Sequence, residues 1–147
     1  MLIERLTENI KIAMLAGDKP RVEVLRGLKA SILNEEVAKG IRDTGLADEQ
    51  IEQVLAREVK KRLEAADLYT KADRQELADK ELYQKEIIEE FLPKQLSDDE
   101  LAEVVDAAIA ELGEGVHMGQ VIGAVKAKVG QSADGARVAT AVKAKVG

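Results

Sequence analysis

The chain has no cysteine and no tryptophan, a single histidine, two prolines, and only Tyr69, Tyr83 and Phe91 as aromatic rings. Without cysteine there is no disulfide, no thiolate nucleophile and no zinc-cysteine site, a composition suited to a reducing compartment. No apolar stretch approaches the roughly 20 residues that span a bilayer. The opening MLIERLTENI carries charges where a signal peptide would have its apolar segment. The expectation is a cytoplasmic protein. Ring scarcity excludes something further: from Pro93 onward there is no aromatic residue, so single-stranded bases cannot be read there by stacking. Strand signals are also missing, because the valines recur at helical rather than alternating spacing.

What is present is helical periodicity, cut into segments by breakers and caps. At 147 residues the chain makes one ordinary domain or two small ones. Leu2, Leu6, Ile10, Ala13 and Met14 form one stripe, which stops at Gly17-Asp18. Asp18, with Pro20 in the following turn, opens a second helix carrying Val22, Leu25, Leu28, Ile32 and Leu33 as far as Gly40. A third helix starts at Asp48 and carries Ile51, Val54, Leu55, Val59, Leu63 and Ala66 toward Tyr69. Asp73 and Glu76 have the spacing of a capping box and predict the start of a fourth, with Leu77, Leu82, Ile87, Ile88 and Phe91.

Pro93 lacks an amide donor and disfavours helix at Leu92, so a domain boundary is placed there. Ser97 and Glu100 form a second capping box, opening a helix with Leu101, Val104, Val105, Ile109 and Leu112 that ends at Gly113. The tail then spells AVKAKVG twice, at residues 124–130 and 141–147, with Gly130, Ser132 and Asp134-Gly135 between the copies. That pattern stops one helix and starts another. The expected fold is all-α: a four-helix domain over 1–92 and a three-helix domain over 93–147.

Charge is unevenly spread. From Val116 onward Lys126, Lys128, Arg137, Lys143 and Lys145 stand against Asp134 alone, a net +4 in a chain of −6, which leaves −10 for the rest. A basic helical tail on an acidic body is a candidate surface for an anion. Two readings of these lysines stay open. Lys126 and Lys128 fall on opposite edges of the Val121, Val125 and Val129 stripe, as do Lys143 and Lys145 around Val138 and Val142, which is where boundary lysines cover apolar surface with their stems. The binding reading adds two expected helix N-termini, near His117 to Gly119 and near Ser132 to Gly135, whose free amides favour phosphate. Gly119 and Gly123 lie opposite the valines and offer a smooth patch to a neighbouring helix or a nucleic-acid backbone. A second basic cluster, Arg57, Lys60, Lys61 and Arg62, is expected to be offset by Glu58 with Arg62 and Lys60 with Glu64.

Nothing here marks an active site. His117 has no partner, Ser31, Ser97 and Ser132 are accounted for by helix, capping box and turn, and no carboxylate pair is singled out for proton transfer. No cofactor or metal is implied.

The stretch from Arg57 to Ser97, with RQELADKE at 74–81 and FLPKQLS at 91–97, together with Met118 to Gly123 and the ADG at 133–135, resembles the YqeY-like family. The C-terminal part of that family is similar to the tail of the B subunit of tRNA-dependent amidotransferases. Two departures stand out: the family usually has glycine where this chain has Asp73, and an acidic residue where it has Gln84. The resemblance implies the four-helix and three-helix division. It also implies a link to carbon-nitrogen ligase activity with glutamine as amido donor, with the chemistry in another subunit. The functional expectation is a non-catalytic accessory protein that contacts folded tRNA through phosphate and ribose. The other expectation is an interaction module that docks on a tRNA-processing partner enzyme.

Overall fold

The structure is a computed structural model that describes residues 1–146; Gly147, the last residue of the second AVKAKVG, lies outside them. Among the described residues there are seven α-helices and no strand. They fall into two compact units, Met1–Leu92 and Pro93–Gly147.

The first unit holds α1 (Leu2–Leu15), α2 (Lys19–Ala38), α3 (Asp48–Lys71) and α4 (Gln75–Glu89). Asp18 caps α2 by accepting from the Arg21 amide at 3.3 Å, with Pro20 in the first turn, where its missing amide costs nothing. Leu6, Leu25, Leu28, Ile32, Ile51, Leu55, Ile88 and Phe91 fill the core. Met14, Leu33, Leu63 and Leu77, counted into the sequence stripes, are exposed instead. They sit at the edge of their helix faces, beyond the arc that a packed neighbour covers.

The predicted capping box at Asp73 is not formed. Asp73 closes α3 rather than opening α4: its amide donates to the Thr70 carbonyl, that of Arg74 donates to the Tyr69 carbonyl, and its φ is +59°. This is a Schellman closure, which needs a left-handed residue just past the helix end. Gly17 and Gly40 fill the same place after α1 and α2, with the same pair of backbone bonds. An aspartate reaches that conformation at some cost, since its Cβ crowds the following carbonyl. The box lost because one residue cannot serve both ends. Arg74 is left at the start of α4 without a side-chain cap.

The second unit holds α5 (Asp98–Leu112), α6 (Met118–Val129), a 3-10 turn (Gly130–Ser132) and α7 (Gly135–Val146). Here the capping box is real. The Glu100 amide donates to Ser97 Oγ at 3.1 Å and the Ser97 amide to Glu100 Oε1 at 3.0 Å. Leu101, Val105, Ala108, Val121, Val125, Val138 and Val142 make a core of small aliphatic side chains. The chain entering the unit is tied to the turn by Leu96 N to the Ser132 carbonyl at 2.7 Å.

Candidate functional site

The tail cations do not form one free basic surface. Lys128 pairs with Glu111 at 3.1 Å, Arg137 with Asp98 at 2.9 Å and Lys145 with Asp106 at 3.4 Å, so three α5 carboxylates are engaged by α6 and α7. Arg137 also donates to the Leu96 carbonyl at 2.7 Å, which makes it a tie between α7 and the segment before α5. Among the described residues Lys126 and Lys143 take part in no ion pair. The end of the Lys126 side chain lies 3.4 Å from where a Cβ on Gly135 would sit, so it runs across the start of α7 and the absence of a side chain there gives it room.

Both helix starts carry local caps from the chain itself. At α7 Asp134 Oδ1 accepts from the Arg137 amide at 2.8 Å, so a carboxylate of the chain already stands where a phosphate was expected. Ser132, assigned to the same anion site, donates its hydroxyl to the Val129 carbonyl inside the 3-10 turn. At α6 the amide of His117 donates to Gln120 Oε1 at 3.1 Å, a local cap that leaves fewer free donors.

Gly119 and Gly123 are exposed, and a Cβ on either would meet nothing within 4 Å. Among the described residues nothing packs closely against them. With exposed Ala127 one turn further on, they leave one side of α6 open. α5 and α7 flank a shallow groove floored by Leu101, Ala102, Ala141 and Ala144, with Arg137, Asp98 and Lys145 at its rim.

The second basic cluster is absorbed into the first unit. Arg57 pairs with Glu35 of α2 at 3.2 Å, Lys61 with Glu58 at 3.6 Å, and Arg62 with Glu58. Lys60 makes no pair with Glu64 among the described residues. Glu58, the expected partner of Arg62, is 8% exposed. Ser31 of α2 donates to it at 3.0 Å, and Gln84 of α4 accepts from Arg62 Nε at 3.4 Å. Burial pushes the Glu58 carboxyl up, but the hydrogen bonds from Arg62 and Ser31 and the charges of Arg62 and Lys61 outweigh it and hold the group below the ordinary carboxylate value. A carboxylate so held is a weak base, so the Ser31–Glu58 contact does not activate a serine nucleophile. Sequence spacing finds the pair within one helix; it has no signal for Ser31, which arrives from another.

Among the described residues no group of three or more potential ligands could hold a metal ion, and no helix is long and apolar enough to cross a membrane.

Residues 3–146 match the family model described as Yqey-like protein. The chain is also similar to Altered inheritance of mitochondria protein 41, mitochondrial, of Eremothecium gossypii, at 30% identity over 112 residues, 75% of this chain and 60% of that protein. The chain thus spans less than two thirds of that relative's length.

Proposed function

The chain belongs to the YqeY-like family, and from that premise we propose a non-catalytic accessory protein of tRNA-dependent amidation, whose C-terminal unit contacts folded tRNA through phosphate and ribose. The observation that carries the reading is the tail: α6 and α7 contain cations and no acid, and Lys126 and Lys143 remain outside ion pairs among the described residues. On the helix that carries Lys126, the open glycine side of α6 lets a nucleic-acid backbone come close. Chemistry would reside in a partner. The proposed compartment is the cytoplasm, whereas the name of the Eremothecium gossypii relative puts that protein in the mitochondrion.

The test is a titration of the full chain with total tRNA at two salt concentrations. Lys126→Ala with Lys143→Ala should weaken binding whatever the base sequence and flatten the salt dependence by about one unit of slope per lost phosphate contact. No binding at low salt, where electrostatic attraction is least screened, sinks the RNA reading.

A second reading has its own support. Three tail cations are occupied by α5 carboxylates, while the Gly119 and Gly123 side of α6 is uncovered. A partner enzyme's helix could approach closely there. Gly123→Leu would obstruct close approach by either occupant, so pull-down with and without nuclease is what separates the two: a partner protein retained after nuclease treatment and lost in Gly123→Leu supports docking.

A further inference from the structure

The charges of the second unit are sorted by helix. α5 carries Asp98, Asp99, Glu100, Glu103, Asp106 and Glu111 and no basic residue, while α6 and α7 carry the cations and no acid. Mixed charges on each helix would keep such a unit equally soluble, and i to i+4 pairs on one helix would be simpler to form. Instead the pairs run between helices. Asp98 and Asp106 reach α7, and Glu111 reaches α6. The side chains of Asp98, Asp106 and Glu111 are 96%, 58% and 69% exposed, so each pair is wet and readily exchanged.

We propose that α5 is an internal competitor for phosphate. Its carboxylates occupy Arg137, Lys145 and Lys128 until a polyanion displaces them, so of the α6 and α7 cations an arbitrary anion finds, among the described residues, Lys126 and Lys143 unengaged. A folded RNA that presents several phosphates at once replaces the three carboxylates together. The inference rests on the RNA reading above and adds regulation to that same surface.

The experiment uses the full chain and total tRNA at low salt, with circular dichroism to check that the helices are retained. One variant combines Asp98→Asn, Asp106→Asn and Glu111→Gln. A control combines Asp99→Asn, Glu103→Gln and Glu114→Gln, which removes the same charge from residues outside these ion pairs. The first variant should bind about threefold to thirtyfold more tightly than the unaltered chain, the range expected for three weak surface pairs, and the control should gain clearly less. Equal gains in both would mean that net charge alone acts, and would overturn the competitor. Binding by the unaltered chain with no gain in the first variant would also overturn it while leaving the RNA reading intact. Failure of all three proteins to bind would end the RNA reading and this inference with it. If the triple variant loses helicity, Asp106→Asn alone serves, because Asp106 lies mid-helix and caps nothing; a gain of less than about 1.5-fold there, at the level of noise for one weak pair, would count against the proposal.

Discussion

In the N-terminal unit the largest fully buried side chains are Leu6, Leu25, Leu28, Ile32, Ile51, Leu55 and Ile88; in the C-terminal unit they are Leu101, Val105, Val121, Val125 and Val138. Leucine or isoleucine in place of valine adds about one methylene per position, worth about 0.8 kcal/mol when buried. The first unit also encloses a charged group, Glu58, with partners from α2 and α3, whereas the second keeps its ion pairs at the surface. One half therefore draws its cohesion from bulk and a buried polar tie. The other has a thin core, and its electrostatics lie where a ligand could reach them.

If that contrast is right, core truncation should separate the halves most. Leu28→Ala, at a fully buried position, should cost the N-terminal unit about 2–5 kcal/mol. Val125→Ala, equally buried, should cost the C-terminal unit about 2 kcal/mol by area and cavity together. A domain that small has little to lose, so the valine variant should unfold its own unit first in a thermal scan. Equal effects on both units for either variant would show that they do not melt independently.

Next comes the buried tie. Glu58→Gln leaves the Arg62 guanidinium without its counter-charge, at about 1.5–3 kcal/mol, the range for stranding a partly buried charged partner. Because the folded-state Glu58 carboxyl is held low, its contribution is present above the unfolded value of about 4.3 and fades as pH falls through the folded value. Denaturant titrations should show the gap between the two proteins large at pH 7 and closing below about pH 4. A gap that does not change with pH would mean that shape rather than charge is at stake.

Ser97→Ala should remove the hydroxyl half of the capping box of α5, leaving the amide at position 97 on Glu100, and cost about 1 kcal/mol, felt only in the C-terminal unit. Glu100, whose carboxylate is held below its ordinary value by the Ser97 amide and hydroxyl, should titrate nearer that value in the variant. An unmoved Glu100 by NMR titration would show that the backbone amide at position 97, which alanine keeps, alone holds the carboxylate low.

The smallest effect has the opposite sign. Asp73→Gly should stabilise the N-terminal unit by about 0.5–1 kcal/mol, because glycine reaches a φ of +59° without the Cβ penalty. A loss on this change would mean that the aspartate makes a contact offsetting its strain.

Those predictions divide along the line between what was legible in the chain and what was not. The seven helices, the Asp18 and Ser97 caps and the stops at Gly17, Gly40 and Gly113 depend on bonds three to five residues apart, and residue order alone carries them. So does the all-α class, since helical periodicity is a local property. Asp73 was ambiguous even locally: the same aspartate is a good cap and a tolerable left-handed residue, and the two backbone bonds closing α3 decided between them. Everything that concerns charge partners was decided by packing. The sequence names no partner for Lys128, Arg137 and Lys145 because their carboxylates lie 17 to 39 residues away, and pairs Glu58 with Arg62 alone because Ser31 is 27 residues distant. Coulomb attraction and burial act through space, so only the tertiary arrangement fixes which charges are already answered and which, like Lys126, still face solvent unpaired among the described residues.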